Sequence, residues 1–260
     1  MNNTKIIFFD IDGTLLRYET MTLSEKMFEA LKRLQEKGIK ICIATGRSPS
    51  TLPKFEGIEF DAFLTFNGSY CYTKDGDVIF SNPIPRETVK LLLANAENIE
   101  KPVSIAVKSR LAANGSSPDL EAYYTFASLK LEIAEDFNEV VENDDVYQVM
   151  LACSKDEHAK MIEGVDGVKI TGWWEKAIDL IPADGGKGRG IEEMLAYYGF
   201  DKSESMAFGD GGNDIEMLQA VGTGVAMGNA KDDVKAIADD VCGDVAEDGI
   251  YHYCVKHGLI

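Results

Sequence analysis

Apolar and polar positions alternate in two different ways along the chain, and the pattern switches twice. Near the start, Lys5 opens the short run Ile6-Ile7-Phe8-Phe9, which stops at Asp10. A continuous apolar run of this length marks a strand covered on both faces, as in a parallel sheet. Behind it, Thr22-Leu23-Ser24-Glu25 has the form of a capping box. Leu23, Met27, Leu31 and Leu34 then recur at helical spacing, and Gly38 closes the helix. Ile39 to Ala44 and Ala62 to Phe66 predict two more buried strands. Strand, helix, strand is the opening of a doubly wound parallel sheet. Tyr70 to Thr73 and Val78 to Phe80 flank Lys74-Asp75-Gly76-Asp77, a hairpin signal with Asp-Gly at its turn.

From about Asn82 to Gly186 the order is less regular. It predicts helices near 86–98, 119–129 and 155–163, and strands near 103–108, 146–152, 167–171 and 177–181. The βα alternation then resumes, with helices at 188–198, 213–220 and 231–238 and strands at 205–209 and 223–226. An interrupted α/β pattern implies an α/β, Rossmann-like core of residues 1–81 and 187–260 carrying an inserted α+β domain of residues 82–186. The insert is long enough to bury a core of its own.

Composition narrows the function. The chain has 260 residues, 45% hydrophobic and 27% charged, which excludes a disordered chain or a coiled coil. Its formal net charge of −18 argues against nucleic acid and anionic membrane as partners, since both need positive surface. The acid is shared between 82–186 and the rest of the chain, so it is no tail. A small phosphorylated substrate stays compatible, because a few local cations or a metal reverse the field inside a cleft. No apolar run approaches the roughly 18 residues of a membrane span. The N-terminus lacks the features of a signal peptide. Cys42, Cys71, Cys153, Cys242 and Cys254 show no CxxC spacing, so neither a disulfide framework nor a zinc site is expected. A cytoplasmic protein with reduced thiols is the expectation.

Four clusters carry chemistry. In Asp10-Ile11-Asp12-Gly13-Thr14, two carboxylates follow a buried strand, where open α/β sheets place ligands. Such a pair shares a proton or binds a cation, unless it is an acidic turn. Thr45-Gly46-Arg47 puts a hydroxyl and a glycine amide after the next strand, an arrangement that suits an anion. Lys187 sits in Asp184-Gly185-Gly186-Lys187-Gly188 at the start of a predicted helix, where a cation opposes the helix dipole. A phosphate or a carboxylate pair would resolve that conflict. Gly209-Asp210-Gly211-Gly212-Asn213-Asp214 offers magnesium-type oxygen ligands at Asp210 and Asp214, with Asn213 a possible helix N-cap.

In this order the four clusters resemble the haloacid dehalogenase superfamily of phosphohydrolases, and more narrowly its Cof-type branch with a class IIB cap. Ala44-Thr45-Gly46-Arg47, Phe66-Asn67-Gly68 and Gly224-Val225-Ala226-Met227-Gly228-Asn229-Ala230 are phrases typical of that branch. The resemblance implies Asp10 as nucleophile and Asp12 as general acid/base. It implies Thr45, Gly46, Lys187 and Asn213 as phosphate-binding groups. It implies Mg2+ held by Asp10, the carbonyl of Asp12, Asp210 and Asp214. The expected activity is hydrolysis of small phosphorylated metabolites, sugar phosphates first, with 82–186 as a cap over the leaving group. Lys108, Arg110, Trp173 and Trp174 are the candidate cap contacts, with cap core the favoured role for the two tryptophans. A phosphomutase, a receiver module and a non-catalytic sensor of phosphorylated metabolites are the competing classes. The receiver is disfavoured by length and by Asp-x-Asp-Gly-Thr at the first strand.

Overall fold

The computed structural model describes residues 3–17, 20–172 and 176–260. The chain divides into two compact units, one of residues 1–46, 53–81 and 186–260, the other of 47–52 and 82–185. The short segment after Thr45-Gly46 thus groups with the second unit.

The first unit begins with β1 (Ile6–Phe9), α1 (Glu25–Glu36), β2 (Lys40–Ala44), β3 (Ala62–Thr65), β4 (Tyr70–Thr73) and β5 (Val78–Ser81). The second contains α2 (Arg86–Asn98), β6 (Ser104–Ala106), β7 (Leu111–Ala113), α3 (Pro118–Phe126), α4 (Phe137–Asn143), β8 (Gln148–Ala152), α5 (His158–Met161), β9 (Val168–Thr171) and β10 (Ala177–Pro182). The first unit resumes with α6 (Lys187–Tyr198), β11 (Ser205–Gly209), α7 (Ile215–Ala220), β12 (Thr223–Ala226), α8 (Asp232–Ile237), β13 (Asp240–Val241) and α9 (Gly249–Lys256).

In the first unit the strand order is β13-β12-β11-β1-β2-β3-β4-β5, parallel from β13 to β3 and antiparallel through the β4–β5 hairpin. All four residues of β1 are buried, as a central parallel strand requires. Successive side chains face opposite sides. Phe9 stacks on Phe208, whose ring meets Tyr253 of α9, and α9 packs beside α1. On the other face, Gly190 of α6 lies so close to Leu64 that a Cβ would sit 2.6 Å from its Cδ1. Helices therefore cover both faces, the doubly wound α/β arrangement expected.

The second unit is a five-stranded antiparallel sheet of order β7-β6-β8-β10-β9. Ile105, Val149, Leu151, Ile178 and Leu180 form its core with residues of α2 and α4, among them Leu92 and Phe137. The alternate residues Ser104 and Asp179 meet α3 instead, where Tyr124 bonds Ser104 and Tyr123 donates to Asp179 at 2.7 Å.

Several local expectations are corrected. The cap of α1 is Ser24, whose hydroxyl accepts from the Met27 N–H at 3.0 Å, and Thr22 lies outside the helix. The strand expected at 103–108 is the first arm of a hairpin, β6 and β7, too short for a periodic signal. The helix expected to reach 129 stops at Phe126, and Ser128, just beyond its cap Ala127, is left-handed with φ 56°. Near 155–163 only one helical turn forms. The helices α4 and α9 and the strand β13 were not anticipated. Phe137, Val140 and Val141 in α4 did carry the i, i+3, i+4 signal. No helix among the described residues is long and apolar enough to cross a membrane, and all five cysteines are free.

The turn after β3 meets the start of α6 at Gly68, which has φ 91° and where a Cβ would lie 2.2 Å from the Gly186 carbonyl oxygen. The left-handed backbone and the overlap together set the expected cost of Gly68→Ala at about 2–5 kcal/mol. Urea denaturation followed by circular dichroism measures it, and a loss below about 1 kcal/mol would contradict this contact.

Candidate active site

Three neighbouring parallel strands, β11, β1 and β2, end at the same edge. Phe9 is in register with Phe208 on one side and Ile43 on the other. Asp10 follows Phe9 directly, and Asp210 and Thr45 follow one residue further on, after Gly209 and Ala44, at the same edge. The Asp10 N–H continues the ladder to the Phe208 carbonyl at 3.1 Å. From β1 the chain winds outward through β2 and β3, then returns to β11 on the opposite side. The carboxyl edge between β1 and β11 is thus a topological switch point, where α/β sheets bind ligands.

The loop after β1 is a compact turn in which the Leu15 and Leu16 N–H groups donate to the Ile11 carbonyl at 3.0 and 2.8 Å. Gly13 takes φ 83° and donates to Leu16 at 2.8 Å. Asp12 forms a bridge with Leu16. Its carboxylate is not among the three that cluster at the edge, yet it is near enough to act on Asp10.

Lys187 is the first residue of α6 and is 1% exposed. Its ammonium donates to Asp10 Oδ1 at 2.6 Å and to Asp214 Oδ1 at 2.5 Å. The conflict between a cation and the helix N-terminus is thus met by a carboxylate pair. Burial alone would lower the Lys187 pKa, but Asp10 and Asp214 more than offset it and hold the ammonium firmly protonated. The second oxygen of Asp214 accepts the N–H groups of Asp210 and Gly211, both at 2.9 Å, so this fully buried carboxylate shapes the loop as well. Asp210 accepts from the Thr14 hydroxyl at 2.8 Å.

Asp10, Asp210 and Asp214 are buried together, each with an oxygen within 4.8 Å of the others. Three carboxylates face one ammonium. Burial first, then Asp214, Asp210 and Asp12, push the Asp10 pKa well up against the opposing pull of Lys187. A further cation would relieve this excess. The donors are all hard oxygens, a set that fits a divalent ion such as Mg2+.

Thr45 and Gly46 lie at the same edge, tied to β3 by the Thr45 N–H to the Leu64 carbonyl at 2.8 Å. Asn213 sits inside a 3₁₀ turn, Gly212–Asp214, and is not the cap of α7. Its amide donates to Asn67 Oδ1 at 2.9 Å. The structure thus brings Asp10, Thr45, Gly46, Lys187, Asp210, Asn213 and Asp214 to one edge, with Asp12 beside them. Sequence reasoning assigned no role to Thr14, Asn67 or Asn229. Asn229 donates to the Gly13 carbonyl at 2.8 Å and accepts from Val245 at 3.0 Å, pinning the Asp12–Gly13 turn. The phrases around Asn67 and Asn229 were visible in the sequence, but what they touch was not. In the second unit, Arg110 is paired with Asp136, and the Lys108 ammonium lies 6.0 Å from the Tyr147 ring centroid. Trp173 and Trp174 lie outside the described residues.

A doubly wound sheet with a carboxylate, a lysine and an acidic loop at its switch point places a reactive polar cluster where α/β proteins bind ligands. Residues 7–254 match the haloacid dehalogenase-like hydrolases, and the chain belongs to that family. It is 33% identical over 259 residues to the Bacillus subtilis (strain 168) protein YkrA, covering 99% of both chains. With the pyridoxal phosphate phosphatase YbhA of Escherichia coli (strain K12) it shares 30% identity over 277 residues, covering 98% of each. The solved HAD subclass IIB sugar phosphatase BT4131 superposes with a TM-score of 0.90 at 33% identity, over 99% of this chain and 100% of that one. The chain is a Cof-type phosphatase of the family.

Removing Asp214 strips Lys187 of one partner and leaves the buried Asp210 N–H and the part-buried Gly211 N–H open. Asp214→Ala is expected to cost about 3 kcal/mol or more in urea denaturation. The carboxylate excess predicts that Mg2+ raises the melting temperature of the wild type by several degrees at saturation, and that EDTA reverses this. Asp210→Ala should abolish that shift; an undiminished one would remove Asp210 from the cation site.

Proposed function

We propose that this chain is a magnesium-dependent phosphatase of small phosphorylated metabolites, with sugar phosphates as the leading class, acting through an aspartyl phosphate on Asp10. One observation carries the reading. Asp10 is a buried carboxylate at the end of the central strand, 2.6 Å from a buried lysine and grouped with Asp210 and Asp214. The likeness to BT4131 supports a sugar phosphate. The likeness to YbhA makes pyridoxal phosphate the rival ester.

In the first step an Asp10 oxygen attacks phosphorus, the bond to the leaving oxygen breaks, and Asp12 supplies that oxygen with a proton. In the second, Asp12 takes a proton from water as the water oxygen bonds to phosphorus, and Asp10 departs as a carboxylate with release of phosphate. Asp12 is only half-buried, which suits it for exchanging protons with water. Thr45, Lys187 and backbone N–H groups near Ile11 and Gly46 hold the phosphoryl oxygens, and Asn213 orients them. Asp10, the Asp12 carbonyl, Asp210 and Asp214 would hold Mg2+, which would supply the positive charge that lets a dianion approach a carboxylate. Residues 82–186 serve as the cap that selects the leaving group.

Phosphate release from hexose and pentose phosphates, phosphoglycolate, pyridoxal phosphate, FMN and nucleotides, with Mg2+ and with EDTA, tests the reading. Release should require Mg2+ and rank highest for a sugar phosphate. A folded protein that releases phosphate from none of them would favour a mutase or a sensor. Asp10→Asn is expected to lower kcat by about 10³-fold or more. Near-normal turnover in that variant would end the nucleophile assignment. Asp12→Asn should slow breakdown of the phosphoenzyme, which acid-quench labelling would detect.

A further inference from the structure

Phe66, Asn67 and Gly68 turn the chain with three successive positive φ angles, 50°, 53° and 91°. Glycine adopts this backbone without steric cost, asparagine tolerates it, and a large residue such as phenylalanine resists it. Strained segments of this kind persist where their surroundings over-determine them, and they cluster at functional sites. Here the surroundings are the proposed phosphate-binding groups. The Asn67 N–H donates to the Thr45 carbonyl at 3.0 Å. Its Oδ1 accepts from Asn213 Nδ2 at 2.9 Å. A Cβ on Gly46 would lie 3.1 Å from both Oδ1 and Nδ2 of Asn67, so the amide is packed against that glycine. The residue is 1% exposed.

β2 and β11 flank β1 on opposite sides. One buried amide therefore joins the turn after β2 to the turn after β11, across the end of β1 where Asp10 lies. Backbone conformation alone would be served better by glycine at 67. The asparagine adds the contacts to Gly46 and Asn213.

We infer that Asn67 is a positioning residue that fixes the Thr45-Gly46 turn and the Asn213 amide relative to each other, so that both meet one phosphoryl group. The inference rests on the phosphate-binding reading of Thr45, Gly46 and Asn213. Asn67→Gly keeps the left-handed backbone and deletes the amide. The expected result is an affinity of the Mg2+-loaded protein for inorganic phosphate, measured by titration calorimetry, about tenfold weaker than wild type. For the best ester, kcat/KM should fall by about tenfold or more, with little change in melting temperature.

Asn213→Ala should lower the same quantities, and in the double variant the two losses should fail to multiply. Losses that multiply, or a phosphate affinity in Asn67→Gly within about twofold of wild type, overturn the inference. If Asn67→Gly does not fold, Asn67→Asp keeps both the backbone preference and an acceptor for Asn213. It should retain the coupling with Asn213, and loss of that coupling would count against Asn67. A wild-type protein that hydrolyses no ester fails as a phosphatase, while the phosphate-binding cycle still decides the role of Asn67.

Discussion

The buried ammonium of Lys187 holds the active edge together. Asp10 lies 177 residues away in sequence and Asp214 lies 27 residues away, and the lysine reaches both. Removing a charge from water is costly unless opposite charges and hydrogen bonds meet it at close range. Burying Lys187 at a helix N-terminus adds an unfavourable dipole. Both costs are offset only when β1, the start of α6 and the loop before α7 are all in place. The same contact thus links the closing of the chain to the assembly of the site.

That solution leaves a second imbalance. Asp10, Asp210 and Asp214 bring more negative charge than one ammonium answers, and burial raises the proton affinity of Asp10. A further positive charge would relieve this crowding of carboxylates. Local charge, rather than the net charge of −18, therefore decides what the site attracts. The acidic surface argues only against large polyanions, while the buried carboxylate cluster at the edge favours a cation.

Close backbone approach is the companion constraint. Gly68 passes the Gly186 carbonyl where no Cβ fits, and Gly46 leaves room for the Asn67 amide. These contacts set the entry of α6, and so the place of Lys187, from the turn that follows β3. Asn229 does the equivalent for the Asp12–Gly13 turn from the far side of β11. Residues outside the acidic cluster thus determine where Lys187 and the Asp12–Gly13 turn are held.

Much of this was present in the sequence. Apolar runs ending in Asp10, Ala44 and Gly209 specify buried parallel strands, because only such strands are covered on both faces. Strand C-termini are where such sheets bind ligands, so the polar residues that follow were recognisable as candidates. Helices with a clean 3.6-residue period, such as α1 and α2, were equally legible. Two-residue β13 and the short hairpin of β6 and β7 were not, since pairing partners rather than periodicity define them. The tertiary structure alone decided which partners each polar group takes. It gave Lys187 two carboxylates, turned Asn213 from a helix cap into a partner of Asn67, and drew Thr14 and Asn229 into the site. Local sequence encodes the conformation of a segment. Contacts across strand ends depend on register and on side chains from distant segments, and these exist only once the sheet has closed.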